Sequence, residues 1–405
     1  MLSYDELLIQ LREQSLFREL RTIEEIQGPE VRMGDRVLVN FASNDYLGLS
    51  QHPSVKASAK LAIDRFGAGS GASRLITGTE SPHTKFEEEI AAFKGAESAL
   101  LFSTGYSAAI GTISSLVGPG DVVILDKLVH ACLIDGAKLS GAALRVFPHN
   151  NTTKLKRQLA WARQTYPQGK TLIVTESIFS MDGDFGDLAA IADLKTEFQA
   201  LLLVDEAHAT GVIGPQGAGW VAALGLTRQV DIQMGTLSKA LGASGGFICG
   251  SKSLIQLLVN RARSFIYSTA LPPASAAAAS AALEIVRTAE GERLRSLLWR
   301  NVRFLVRCLA PASGEIPDPV SPIFPWLIGD ERQTLRLAET LFHNGFLAPA
   351  IRFPTVARGS ARLRIALSAS HALEQIQSLS RTIIASHEFA EELQPQTLPK
   401  GHPER

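Results

Sequence analysis

A chain of 405 residues, 45% hydrophobic and 20% charged, has the make-up of a globular protein large enough for two or three structural units. Its 40 basic residues balance 40 acidic ones, which argues against the broad positive footprint that nucleic acid requires. Three cysteines, Cys132, Cys249 and Cys308, are far apart and fit neither a disulfide framework nor a zinc site, so a reducing cytoplasm and no metal are expected.

The first residues lack a basic stretch followed by an apolar core, so no secretory signal is expected. The region before Phe41 reads as a helical arm and then a short hairpin around Gly34-Asp35. Residues 85–94 place Phe86, Ile90 and Phe93 on one helical face with charges opposite. Residues 99–102 form a short apolar run that ends in Ser103-Thr104-Gly105, a strand entering a turn. Similar runs follow at 122–125, 172–174, 201–204, 232–234 and 247–249, each unalternating and bounded by turn residues. Such runs are the mark of strands covered on both faces, and the helical patterns between them imply a mainly parallel sheet. Ligands of such sheets collect at the carboxyl ends of the strands, and Glu176, Asp205 and Lys239 each fall just after a run.

The alanine-rich stretch 273–286 is broken by serines and Glu284, too short and too weakly apolar to span a bilayer, and reads as a packed helix. From 287 to 307 the pattern turns long, charged and helical, and 311–325 is a proline-rich loop. Trp326-Leu327-Ile328 and residues 362–367 are candidate strands of a smaller unit. The expected division is an N-terminal arm at 1–48, a large sheet domain at 49–285, a smaller C-terminal α+β domain at 286–392 and a disordered tail at 393–405.

Two segments carry the chemistry. Thr236-Leu237-Ser238-Lys239-Ala240-Leu241-Gly242 supplies one lysine flanked by hydroxyls and glycines, beyond Val204-Asp205-Glu206-Ala207-His208. A lysine activated by its setting can hold an aldehyde as a Schiff base, and a carboxylate facing a ring nitrogen is the partner that pyridoxal 5'-phosphate (PLP) needs as an electron sink. The pair predicts a PLP site. Asp205 also suits a helix N-cap, and Asp205-Glu206-Ala207-His208 matches a helicase box, but no phosphate-binding GxxxxGK[ST] loop precedes it. His208, three residues on, would reach the same cofactor edge. Thr104-Gly105-Tyr106-Ser107 offers hydroxyls and backbone N–H groups for a phosphate, with Thr236 and Ser238 as further donors. His130 either lies flat on the ring or is an ordinary core or surface histidine. Arg362 and Arg364 share one strand face, where one could clamp a substrate carboxylate or both could be a solvated edge pair.

From about Phe41 to His371 the chain resembles the α-oxoamine synthase family of fold-type I PLP-dependent transferases. The resemblance is carried by Ser43-Asn44-Asp45-Tyr46-Leu47-Gly48, by Thr175-Glu176-Ser177-Ile178-Phe179-Ser180-Met181-Asp182-Gly183, by the two segments above and by Ala361-Arg362-Leu363-Arg364. It implies an α/β enzyme that joins an amino acid to an acyl thioester, on coenzyme A or a carrier protein, with loss of carbon dioxide. Residue by residue it implies Lys239 as the PLP lysine, Asp205 as the ring-nitrogen partner and His130 as the stacking residue. Ser180 and His208 approach the phenolic oxygen, while Gly105, Tyr106 and Thr236 surround the phosphate. Arg364, helped by Asn44, would receive the substrate carboxylate. Ser268 and Thr269 would reach the phosphate from the neighbouring subunit of a homodimer. Residues 350–356, with Arg352 and Thr355, resemble a substrate loop, and Arg18 an N-terminal substrate arginine. The closest likeness implies L-alanine and a pimeloyl thioester as substrates in biotin synthesis; glycine with acetyl-CoA is the nearest rival, and a PLP aminotransferase a second.

Overall fold

The computed structural model describes residues 3–313 and 321–392, with side-chain surroundings given for all of these but 311–313 and 387–392. The expected tail at 393–405 and residues 314–320 of the loop expected at 311–325 lie outside the described residues; the rest of that expectation is corrected, since 311–313 end a helix and 323–325 begin a strand.

Helix α1 (Tyr4–Glu13) opens the chain, held by a capping box between Ser3 and Glu6. Strands β1 (Glu25–Gln27), β2 (Glu30–Met33) and β3 (Arg36–Asn40) follow, and β2–β3 is the hairpin expected around Gly34, which turns with φ +58°. Helices α2 (Pro53–Phe66) and α3 (Ser81–Lys94) lead to β4 (Ser98–Phe102) and α4 (Gly105–Leu116). Then come β5 (Val122–Asp126), α5 (Ala131–Ser140), β6 (Ala143–Phe147), α6 (Thr152–Thr165), β7 (Thr171–Glu176) and α7 (Leu188–Phe198). Strand β8 (Leu201–Asp205), the single turn α8 (Trp220–Ala223), β9 (Ile232–Thr236) and β10 (Gly246–Gly250) complete the main sheet.

That sheet has seven strands in the order β4-β10-β9-β8-β7-β5-β6. Its neighbours pair in parallel except at β10, which is antiparallel to both β4 and β9, so mainly parallel is the right description. Strands β5, β8 and β9 are buried along nearly their whole length, because helices cover both faces. Strand β6 was not legible as a strand: it is an edge strand with Arg145 at its centre, and of its five residues only Phe147 is buried. From β5 the chain steps outward to β6, then returns to the other side of β5 with β7, β8 and β9. The crevice at that reversal, outside the carboxyl ends, is where such sheets hold ligands.

Helices α9 (Lys252–Arg261), α10 (Arg263–Ile266) and α11 (Pro273–Val286) follow, the last being the packed alanine-rich helix expected at 273–286. The charged helix α12 (Ala289–Ser313) leads to β11 (Ile323–Gly329), α13 (Glu331–His343), β12 (Phe346–Leu347), β13 (Ala350–Ile351), β14 (Ala361–Ala366) and α14 (Leu373–Glu392). Strand β12 pairs with β3, so the N-terminal strands and the C-terminal part share one sheet.

Two charge expectations are corrected here. Lys94 is not on a solvated face of α3: it is buried, with Nζ 2.5 Å from Glu206 Oε2 and 2.6 Å from the Ala218 carbonyl. A buried ammonium is tolerated only with such partners. Arg362 and Arg364 are not a solvated edge pair either, since β14 lies between β11 and β13 and is buried throughout. Among the described residues no helix is long and apolar enough to cross a membrane, and no cluster of side chains is suited to a metal ion.

Candidate active site

The carboxyl ends of β7 and β8 place Glu176 and Asp205 side by side, both buried. Asp205 accepts a hydrogen bond from the Ala207 amide at 2.8 Å. Burial raises its pKa, and the nearby Lys239 amine opposes that rise. Burial, and then the charge of Asp205, push Glu176 well above the usual carboxylate range, and its Oε1 accepts from the His130 amide. Two acids in one dry crevice cannot both ionise without a cation.

Lys239 follows β9 in the turn closed by the Gly242 amide on the Lys239 carbonyl. Only glycine fits at 242, with φ +60° and a Cβ position 2.2 Å from the Ser50 nitrogen. The half-buried Lys239 amine is lowered to about 8, first by burial, with Asp205 and Glu176 opposing. Its Nζ lies 2.8 Å from His208 Nε2, and His208 Nδ1 lies 2.6 Å from the Tyr46 hydroxyl. Tyr46 is fully buried, and that burial pushes its phenol up to about 12. Burial and then the charges of Lys239 and Arg364 hold His208 well below the usual histidine range, so the ring is neutral.

The relay continues from Tyr46 to Asn44 Oδ1 at 3.2 Å, which also accepts from Arg364 Nη2 at 2.9 Å, while Arg364 Nε donates to the Ser180 carbonyl at 2.6 Å. One proton arrangement satisfies every atom: Lys239 donates to Nε2 of His208, Nδ1–H donates to Tyr46, and Tyr46 donates to Asn44. Tyr46 carried no assigned role in the sequence, where it was one apolar-looking member of a motif. Only the fold brings it 162 positions along the chain to His208.

His130 caps the N-terminus of α5, and its exposed ring accepts at Nδ1 from the Cys132 amide at 3.3 Å. At the neighbouring helix end, Thr104 and Ser107 form a reciprocal cap on α4. A side chain on Gly246 would meet Gly105 at 2.6 Å, so glycine there lets β10 approach this helix terminus. Tyr106 donates to Asp135 at 2.7 Å, and Thr236 Oγ1 donates to the Gly245 carbonyl and lies 2.8 Å from Ser238 Oγ.

The remaining residues singled out in the sequence lie elsewhere. Arg352 is buried and donates to the carbonyls of Ser15 and Phe17, and Arg18 donates to the Phe353 carbonyl at 3.2 Å. Thr355 is exposed, its amide on the Arg352 carbonyl. Ser268 donates to the carbonyl of Thr269, and exposed Thr269 bridges Ser73. None of these is hydrogen-bonded to the Lys239 relay among the described residues.

These residues fit PLP by their chemistry. The crevice holds an amine of lowered pKa, two buried acids that a protonated ring nitrogen would pair with, an exposed imidazole and a helix N-terminus with hydroxyls beside it.

The model of the family described as aminotransferase class I and II matches residues 36–383. An 8-amino-7-oxononanoate synthase of Geobacter sulfurreducens is 45% identical over 386 residues, 95% of this chain and 97% of the relative. Another from Anaeromyxobacter dehalogenans is 46% identical over 91% of this chain and 92% of its own. A serine palmitoyltransferase from S. paucimobilis, solved with bound PLP and myriocin, superposes with a TM-score of 0.89 at 30% identity, covering 95% of this chain and 97% of that one. The 8-amino-7-oxononanoate synthase structure from Francisella tularensis superposes with a TM-score of 0.74 at 30% identity, covering 88% and 98%. Fold and site together define a fold-type I PLP-dependent enzyme. Within aminotransferase class I and II, the chain belongs to the family of the 8-amino-7-oxononanoate synthases.

Proposed function

We propose that this protein condenses L-alanine with a pimeloyl thioester, on coenzyme A or a carrier protein, releasing the thiol and carbon dioxide to give 8-amino-7-oxononanoate for biotin synthesis. The observation that carries this reading is the 45% identity to a named synthase over nearly the full length of both chains. The product's skeleton agrees with it, being alanine without its carboxylate joined to a seven-carbon acyl chain. The same reading makes the chain a large sheet domain flanked by an N-terminal arm and a smaller C-terminal domain.

Bound PLP supplies an electrophilic carbon and a ring that takes up an electron pair when a bond to the amino acid's α-carbon breaks. The chain's part is to hold and to move protons. Asp205 keeps the ring nitrogen protonated, since a cation there relieves the cost of its burial. Lys239, with its amine near neutrality, anchors the cofactor, takes the α-proton of alanine and returns a proton to the same carbon after carbon dioxide leaves. Neutral His208 donates or accepts beside it, oriented by Tyr46, and Ser180 approaches the same edge. Glu176 fixes the start of α5 through the His130 amide, and His130 would stack on the ring. Gly105, Tyr106, Thr236 and Ser238 surround the phosphate. Arg364, braced by Asn44, receives the alanine carboxylate, and Arg18, Arg352 and Thr355 serve the acyl side.

Ser268 and Thr269 complete the phosphate site of a partner copy in a homodimer. Support for that comes from the exposed apolar side chains around them, Ile76 at 75% and Tyr267 at 72% exposure. The test offers PLP-loaded protein alanine, glycine or serine against acetyl-, pimeloyl- and palmitoyl-CoA, with pimeloyl carrier protein as a further donor, and measures free thiol. Release with alanine and a pimeloyl donor is expected. Release only with glycine and acetyl-CoA overturns the substrate assignment.

A further inference from the structure

His149, in the connection between β6 and α6, takes no part in the site described above. Its Nδ1 lies 2.9 Å from Asp126 Oδ1 and its Nε2 2.5 Å from Asp184 Oδ2. Ionised carboxylates only accept, so both ring nitrogens donate and the ring is an imidazolium. Burial works against that charge, but the hydrogen bonds and charges of Asp126 and Asp184 outweigh it and raise the ring to about 10. Asp126 comes from the end of β5 and Asp184 from the loop after β7; the other close neighbours, Phe179 and Asn150, are uncharged.

The contacts of His149 and Asn150 converge on one segment. Phe179 meets the imidazole edge-on at 4.3 Å between centroids. Asn150 donates to the Phe185 carbonyl at 2.9 Å and accepts from the Asp187 amide at 3.0 Å. The loop between these points closes on itself, through the Phe179 amide on the Asp184 carbonyl and the Gly183 amide on the Phe179 carbonyl. Its other side is gripped by β14: Arg364 donates to the Ser180 carbonyl, and Arg362 donates to the Met181 carbonyl and to Asp182 Oδ1. The loop is therefore a spacer between the end of β5 and the guanidinium of Arg364.

We propose that His149 is a positioning residue for the amino-acid carboxylate clamp, an imidazolium that pins loop 179–185 to β5 and so fixes where β14 presents Arg364. The inference rests on the proposed role of Arg364, and it assigns His149 an effect on amino-acid affinity rather than on cofactor or thioester binding. A purely structural histidine would lower all three together.

The test uses PLP-loaded protein and its His149→Gln variant. Amino-acid affinity is read from the cofactor absorbance change, with whichever of alanine, glycine and serine the parent binds. Loss of a charge-assisted grip is expected to weaken that affinity about tenfold, with cofactor content and thioester KM within about twofold. In an Arg364→Ala background the same substitution should have no further effect, because the two act through one group. Unchanged amino-acid affinity, or an equal loss in both backgrounds, overturns the proposal. Two further readouts need no bound substrate, so they separate this inference from the functional reading. Amide exchange across 179–185 should quicken in the Gln variant, and both ring nitrogens of His149 should be protonated at pH 8 by NMR; unaltered exchange or a neutral ring overturns it. If His149→Gln does not fold, Asp184→Asn should give a smaller loss of the same kind, and no loss there counts against it.

Discussion

The carboxyl ends of β7, β8 and β9 and the strand β14 face the same crevice but treat their charges in opposite ways. On the sheet, Glu176, Asp205 and Lys239 are crowded together with few hydrogen bonds, and burial moves each of them toward its neutral form. On β14, each guanidinium is tied to backbone carbonyls and a side-chain oxygen, Arg362 to Met181 and Asp182, Arg364 to Ser180 and Asn44. The first arrangement leaves protons easy to move, which suits acid–base work near neutral pH. The second leaves a fixed cation in a fixed place, which suits recognition of a carboxylate. The difference lies in what surrounds each charge, since the residue types alone would allow either behaviour.

The sharpest way to break this contrast is at Lys239. Replacing it with alanine should lower thiol release by roughly 10²–10⁴-fold and abolish the cofactor linkage that borohydride fixes. A variant at the native rate would remove Lys239 from the chemistry. At the other pole, Arg364→Ala should raise the amino-acid KM by about ten- to a hundredfold with a smaller change in kcat, the cost of losing one charged hydrogen-bonding partner. A fall in kcat alone would place Arg364 among the proton-moving groups. The pH dependence of cofactor uptake by apoprotein sharpens the comparison further. Because the Lys239 amine is lowered to about 8, uptake should rise about tenfold per pH unit below 8 and level off above it. Uptake still climbing toward pH 10 would mean an unshifted amine. The smallest effect is expected at Tyr46→Phe, which removes one neutral link between His208 and Asn44 and should slow turnover up to about tenfold, with cofactor retained. Unchanged turnover would confine the relay to Lys239 and His208.

The elements on the sheet side were largely legible. Short apolar runs bounded by turns located β4, β5, β7, β8, β9 and β10, because strands covered on both faces carry no polar alternation. The order in which Asp205, His208 and Lys239 follow those runs placed them at the carboxyl ends. Two features were hidden, the burial of the clamp strand β14 and the edge strand β6 of the main sheet. The burial of β14 depends on β11 and β13, whose contributions no local pattern of Arg362-Leu363-Arg364 encodes. Strand β6 was obscured by the same local reasoning, since an edge strand with an arginine at its centre lacks a buried run. Lys94 and His149 show the limit for single charges, whose surroundings come from residues 112 positions away in one case and 23 and 35 in the other.

From the amino-acid order alone came the helix–strand alternation, the parallel sheet and the candidate lysine, aspartate and histidine, because hydrophobic period and turn chemistry act over a few neighbouring residues. Tertiary packing decided which charges lose their water and which gain partners. Tyr46 meets His208, Arg364 meets Ser180 and Asn44, and His149 meets Asp126 and Asp184 only once distant segments are brought together. Desolvation and pairing depend on that assembly, and they determine whether a given acid, amine or guanidinium moves a proton or holds a charge in place.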